Sequence, residues 1–331
     1  MTTRILGTGS AIPTKIVTNH DLEKFLDTSD EWIRERTGIG SRHAATTETT
    51  TSLASEACRK ALEDAGKRPE DVDMIIAATV SPDCSFPCLA CQIQAEIGAD
   101  HAVAFDLNAA CAGFLFALNS ATAYIQTGLY KNALVVGAEV LTKLVDWEDR
   151  SSCILFGDGA GAAFVAEDSE GVTGMVQGAN GKKGMVLYRY DTPINTPFTR
   201  EALGEKPDGE KERTERGFLE MNGSEVFRFA VSQVPKSIKE VLIKTGWDKS
   251  EVAYYVLHQA NARIIQSIAK RLDEPEEKFP MNLQKYGNMS SATIPVLLDE
   301  LNKAGKLKRG DKLILSGFGA GLTYGATALV W

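Results

Sequence analysis

Residues Lys60–Ala78 read KALEDAGKRPEDVDMIIAA, and residues Glu240–His258 read EVLIKTGWDKSEVAYYVLH. Each stretch is the end of an amphipathic helix, a glycine that closes it, a short polar turn and an apolar strand rich in β-formers. The two lie about 180 residues apart, and the offset persists along the chain. The buried-strand pattern NALVVGA at Asn132–Ala138 matches DKLILSG at Asp311–Gly317. Ahead of these strands lie two helices, Ala112–Thr127 and Ser291–Ala304, so Cys111 falls opposite Ser291 at the start of an equivalent helix.

Repeated strand–helix alternation implies an α/β fold with buried, mostly parallel strands, and two such halves give a pseudo-twofold molecule. The helix from Ala112 is apolar nearly all round (Phe114, Leu115, Phe116, Ala117, Leu118). Such a helix belongs between sheets, with Cys111 directed into a central cleft. The halves divide as residues 1–170, carrying Cys111, and 171–331, carrying His258 and Asn288. Between Tyr188 and Phe218 the chain is rich in Pro, Gly and charge and reads as a long exposed loop.

Composition narrows the function classes. At 331 residues, 44% hydrophobic and 24% charged, the chain can bury a large core. A net charge of −8 argues against nucleic acid as a partner, since phosphate binding needs a basic field. No run approaches the roughly 20 apolar residues of a membrane span. Met1–Pro13 reads as a first strand and its turn rather than a secretory leader. Six cysteines without framework spacing point to a reducing, cytoplasmic compartment.

Chemistry gathers at three places. In LNAACAGF, Leu107–Phe114, a thiol stands at a helix N-terminus, where the dipole and unpaired N–H groups favour the nucleophilic thiolate; a small packing cysteine is the plain alternative. His258 ends the apolar strand AYYVL, at the edge where α/β folds collect catalytic groups, while His20, His43 and His101 stand in polar, helix-edge or loop contexts. Asn288 lies in KYGNMSSATIP, ahead of the second repeat's helix, and approaches the same cleft by the offset; alone it would read as a loop or capping residue. The run GFGAG at Gly317–Gly321 follows a buried strand and lets backbone N–H groups approach a ligand, or simply makes a tight turn.

Other motifs are weaker. Cys84, Cys88 and Cys91 stand in the C-x3-C-x2-C spacing that holds an iron–sulfur cluster in radical enzymes, but neither a radical-enzyme barrel nor a downstream SAM-binding motif accompanies them. GTGSAI at Gly7–Ile12 and GDGAGA at Gly157–Ala162 lack the strand–turn–helix context of a dinucleotide fingerprint.

With these residues laid out, nearly the whole chain outside Tyr188–Phe218 resembles the β-ketoacyl-acyl carrier protein synthase III family of the thiolase superfamily. The likeness runs through RILGTGSAIP, DEWIRERTGI, LNAACAGF, ILFGDGAGA, LHQANARI, YGNMSSATIP and FGAGLTYGA. It implies a thiolase-like fold of two βαβαβ halves with buried central helices in α/β/α/β/α layers. It further implies Cys111 as the acyl-accepting nucleophile, with His258 and Asn288 serving decarboxylation and condensation. The backbone N–H groups of Cys111 and Ala320 would form the oxyanion hole, Ala320 standing where the family pattern has glycine.

By the same resemblance, Trp32 and Arg150 stack on the adenine of CoA, with Thr28, Arg36, Asn261 and Arg263 nearby, as stacking and forked phosphate binding would require. Phe86, Phe156 and Phe318 line the acyl pocket, Phe86 closing that of a partner across a homodimer interface. Arg263, Lys270 and Arg271 share a helix face suited to docking an acidic carrier protein, or are an ordinary solvated face. The implied substrates are an acyl-CoA and malonyl-acyl carrier protein; no metal or organic cofactor is implied, and no nucleic acid or membrane. A degradative thiolase would need a second cysteine near the C-terminus, yet none follows Cys153. Elongating ketosynthases carry a second histidine where Asn288 stands. A secondary-metabolite acyltransferase or ketosynthase on the same scaffold, and a non-catalytic CoA or carrier-protein binder, are the remaining alternatives.

Overall fold

The computed structural model describes residues 1–191 and 217–331. The first sheet contains β1 (Thr2–Ala11), β2 (Met74–Ala78), β3 (Val103–Leu107), β4 (Asn132–Val140) and β5 (Asp158–Asp168), in the spatial order β1-β5-β4-β2-β3. The second contains β6 (Val172–Ala179), β7 (Val252–Leu257), β8 (Lys312–Gly319) and β9 (Thr323–Val330), in the order β7-β8-β9-β6. Matching elements through the repeat gives the same order in both, with β3 as an extra edge strand in the first.

The expectation of mostly parallel strands is corrected. β2 pairs in parallel with β3 and β4, and β7 with β8, but β1/β5, β4/β5, β8/β9 and β9/β6 are antiparallel. The reason is connectivity: β4 to β5 and β8 to β9 return without a helical crossover, and only a crossover can make consecutive strands parallel.

Helices fill the layers. On the outer face of the first sheet lie α2 (Thr50–Asp64) and α3 (Leu89–Ile97); α1 (Asp30–Thr37) precedes them in the chain. Between the sheets lie α4 (Gly113–Gln126) and α7 (Thr293–Lys303), and on the outer face of the second lie α5 (Gly223–Thr245) and α6 (Ala262–Leu272). Strand alternation builds these layers. Ile75 faces the α2/α3 side, whereas Met74 and Ile76 face the central helices. In the second sheet Tyr255 and Leu257 face α5 and α6, whereas Val256 turns inward. The expected α/β/α/β/α layering is present.

Phe114, Leu115, Ala117 and Leu118 are buried as expected, while Phe116 is half-buried. The central helices approach the strand ends closely. A Cβ on Gly137 of β4 would come within 2.3 Å of the Ser291 carbonyl oxygen, and one on Gly113 within 2.7 Å of the Ala78 Cβ. Only glycine fits such contacts. Of the segment read as a long loop, positions 192–216 lie outside the described residues. Its ends are joined, Leu187–Tyr188 pairing with Glu220–Met221 and the Tyr188 hydroxyl donating to Glu220 at 2.7 Å.

Candidate active site

Cys111 sits in a one-turn helix, Ala110–Ala112, that runs directly into α4. No side chain caps the N-terminus of α4, and the N–H of its first residue, Gly113, is taken by the Ala110 carbonyl of the preceding turn. Burial pushes the Cys111 thiol up to about 12, with the buried Glu139 carboxyl acting in the same direction. The expected bias toward the thiolate is therefore outweighed by desolvation, and the resting sulfur is protonated at neutral pH.

Two cavities meet at this residue. One of about 480 Å³ is lined by Cys111, Phe156, Ser290, Ala320 and Gly321 among others. A smaller one of about 110 Å³ is lined by Cys111, Phe156, His258, Asn288, Phe318 and Gly319. The three chemistry-bearing residues therefore share one cavity wall.

His258 continues β7, its backbone N–H donating to the Ser316 carbonyl at 2.9 Å. Its Nδ1 lies 2.7 Å from the Thr293 hydroxyl, and the Phe318 ring stands edge-on with centroids 5.2 Å apart. Complete burial lowers its pKa to about 3, so the imidazole is neutral. Asn288 is fixed at its backbone by donating to the Leu155 carbonyl at 2.8 Å and accepting from Gly157 at 3.0 Å. Its Oδ1 accepts from the Ser290 N–H at 2.8 Å, which assigns the amide orientation and leaves the Nδ2 hydrogens for the cavity.

The residues expected at the oxyanion hole lie close together. A Cβ on Gly319 would stand 2.6 Å from the Cys111 nitrogen, so this backbone passes directly over the Cys111 amide. Ala320 lines the larger cavity, and the positive φ of this turn falls on Gly321 at +99°, so the alanine is unstrained.

The expected CoA residues also assemble. The Arg36 and Arg150 guanidinium carbons lie 4.7 and 5.2 Å from the Trp32 ring centroid. Asn261 caps α6 and donates to the Arg36 carbonyl at 3.1 Å. Arg36, Asn261 and Arg263 line a shallow cavity of about 310 Å³. Thr28 is half-buried, its hydroxyl oxygen without a hydrogen-bond partner. Arg263, Lys270 and Arg271 are exposed on α6. Phe156 lines both cavities, whereas Phe318 faces the imidazole; Phe86 is 86% exposed and lines neither.

Several residues escaped the sequence reading. Arg228 joins Arg36 and Arg263 around the shallow cavity, but on α5 it reads as one more charge on a solvated helix face. Glu139 is a fully buried carboxyl accepting from the Ser81 hydroxyl at 2.5 Å, the Val80 N–H at 3.1 Å and the Ser291 hydroxyl at 2.8 Å. The acid inside NALVVGAEV was the available signal. His43 lies in a short strand, Ser41–Ala44, with Nδ1 2.6 Å from the Pro13 carbonyl oxygen. Cys88 and Cys91 bring their sulfurs within 3.4 Å of each other at the start of α3.

Two buried helix starts meeting between layered sheets, with thiol, imidazole and amide at the seam, is the architecture of the thiolase-type acyl-transferring enzymes. Residues 105–181 match the family model described as 3-oxoacyl-[acyl-carrier-protein (ACP)] synthase III, and residues 242–331 match that of its C-terminal part. The β-ketoacyl-[acyl-carrier-protein] synthase III of Clostridium acetobutylicum is 48% identical over 99% of this chain and 98% of its own. The crystal structure of 3-oxoacyl-[acyl-carrier-protein] synthase III from Aquifex aeolicus superposes with a TM-score of 0.89 at 43% identity, over 99% of this chain and 100% of that one. The priming β-ketosynthase of the R1128 polyketide biosynthetic pathway gives 0.89 at 37% identity, over 99% and 96%. The chain belongs to the β-ketoacyl-acyl carrier protein synthase III family. That membership removes the radical-enzyme reading of Cys84, Cys88 and Cys91.

Proposed function

We propose that the chain condenses an acyl-CoA primer with malonyl-acyl carrier protein, giving 3-ketoacyl-acyl carrier protein, CoA and CO2, the step that initiates fatty-acid synthesis. The observation that carries this reading is Cys111 at an uncapped helix N-terminus, on a cavity wall shared with His258 and Asn288.

In the first half-reaction the Cys111 sulfur attacks the thioester carbonyl, the bond to the CoA sulfur breaks, and the thiol proton ends on the departing CoA. The N–H groups of Cys111 and Ala320 receive the negative charge on the carbonyl oxygen. In the second, the malonyl C–CO2 bond breaks and its electron pair passes into the thioester as an enolate. A neutral His258 and the Asn288 amide donate hydrogen bonds to the enolate oxygen. The enolate carbon then attacks the acyl group on Cys111, whose sulfur leaves and takes up a proton. These steps call on no metal or organic cofactor.

Trp32, Arg36, Arg150, Asn261 and Arg263 would hold the CoA nucleotide, with Thr28 beside them, and the exposed Arg263, Lys270 and Arg271 would receive the acidic carrier protein. A homodimer is supported by β3, a half-exposed edge strand of the first sheet, and by Phe86, which would close the partner's acyl pocket. The cytoplasm is the proposed compartment, supported by six free cysteines. Among the described residues no helix is long and apolar enough to cross a membrane.

Mass spectrometry after incubation with a panel of acyl-CoAs tests the reading. An acyl adduct on Cys111, consumed when malonyl-acyl carrier protein is added with release of CO2, is the expected result. Failure with every acyl-CoA overturns it. The likeness to the R1128 priming enzyme supports a second reading, priming of a polyketide carrier protein by the same chemistry. Faster condensation on a polyketide carrier protein than on a fatty-acid one would favour it.

A further inference from the structure

The turn Ser290–Ala292 and the first residue of α7 handle both donors of the proposed condensation. Ser290 N–H orients the Asn288 amide at 2.8 Å, and the Thr293 hydroxyl contacts His258 Nδ1 at 2.7 Å. Thr293 is fully buried, and its single hydroxyl hydrogen has two neighbours able to accept it: His258 Nδ1 and the Ser290 carbonyl oxygen at 3.0 Å. The Ser290 carbonyl already accepts the backbone N–H of Thr293. It does not need the hydroxyl hydrogen, and the shorter contact is the one to the imidazole.

We propose that Thr293 is a positioning residue that donates its hydroxyl hydrogen to His258 Nδ1 and so fixes the ring proton on Nε2, the nitrogen left to the cavity. Burial keeps the ring neutral, so one nitrogen and only one carries hydrogen. With Nδ1 occupied as an acceptor, His258 presents N–H beside the Asn288 amide hydrogens, giving two donors for one developing oxyanion. In the reverse arrangement Nδ1–H would donate to Thr293, leaving a bare Nε2 whose lone pair would repel an enolate oxygen. The proposal rests on the donor role assigned to His258 above, and it adds the group that sets that role.

Nitrogen-15 NMR of histidine-labelled protein reads the tautomer without turnover, and a His258→Asn variant assigns the signal by its disappearance. The wild type is expected to show His258 protonated at Nε2. In Thr293→Val the signal should move toward a tautomer mixture and condensation should fall roughly 100-fold, while acylation of Cys111 by acyl-CoA changes less than about twofold. Thr293→Ser, which keeps the hydroxyl, should restore both tautomer and rate. An Nδ1–H tautomer in the wild type overturns the proposal even if the valine variant does not fold. So does a valine variant with wild-type tautomer and rate. If His258→Ala condenses at the wild-type rate, the donor role of His258 fails, while the NMR result on Thr293 still stands or falls by itself.

Discussion

Ala110 and Ser290 hold the same irregular backbone, with φ of +47° and +46°, each opening the short turn that leads into one of the two central helices. They are equivalent positions of the repeat, and each precedes a residue at the seam, Cys111 in one half and Ser291 in the other. A left-handed conformation at a residue with a Cβ costs on the order of 1–3 kcal/mol. The fold retains it twice, where it aims a side chain.

Replacing Ala110 by glycine separates strain from positioning. Ala110→Gly relieves the left-handed alanine at the expense of a freer unfolded chain, so stability should stay within about 1 kcal/mol of the wild type or rise. Acylation of Cys111 should slow, because the turn that aims its sulfur gains freedom. Thermal unfolding and a stopped-flow acylation assay check both, and a large loss of stability would show that the strain is not borne at this residue.

Gly319 is the position where one added carbon does the most harm to the site. A Cβ there meets the Cys111 nitrogen at 2.6 Å and the Ala112 nitrogen at 3.2 Å. Gly319→Ala should displace the Cys111 amide and cut the acylation rate by roughly 100-fold or more. Affinity for CoA should change little, since the residues proposed to hold the nucleotide lie elsewhere. Acylation kinetics and calorimetric CoA binding give the two readouts.

The buried His258 makes acid stability a property of the proposed active site. Its pKa of about 3 in the folded chain lies below the ordinary histidine value of 6.5, so between these limits the unfolded chain binds the extra proton. Stability contributed by the neutral ring is complete above pH 6.5 and is lost as the pH falls, by up to about 1.4 kcal/mol per unit. Urea unfolding at several pH values should show a shallower acid loss for His258→Asn than for the wild type. Equal slopes would mean that the ring reaches water in the folded state.

Trp32 and its two arginines should govern binding rather than chemistry. Trp32→Ala or Arg150→Ala removes a stacking face and should raise the KM for acyl-CoA about tenfold. The rate with a short acyl-pantetheine, which lacks the nucleotide, should be unchanged. A matching loss with both substrates would place these residues in the acyl-transfer step.

The repeat was legible because helix periodicity, closing glycines and apolar strands are local signals, and the offset that pairs Cys111 with Ser291 proved to be real in space. Strand direction was not legible: the pattern of the chain does not show that β5 and β9 return to their partners without a helical crossover, which is what makes them antiparallel. Cys111, His258 and Asn288 could be picked out by their places at element ends. Their neighbours could not. Thr293 sits in an ordinary helix start, Glu139 at the end of an ordinary buried strand, and Arg228 among ordinary surface charges. Each owes its place to contacts between elements distant in the chain. The desolvation that raises the Cys111 thiol pKa was hidden for a related reason, since a motif reveals the helix end but not how dry its surroundings are.

The contact of Gly137 with the Ser291 carbonyl bears on how such a molecule can diverge. One half supplies the missing side chain and the other the backbone that fills its place, so neither surface can drift independently. Chimeras joining the first half of this chain to the second half of a relative should be active only when both sides of that contact come from compatible parents. The contact therefore couples the two halves, so a change on one side calls for a matching change on the other.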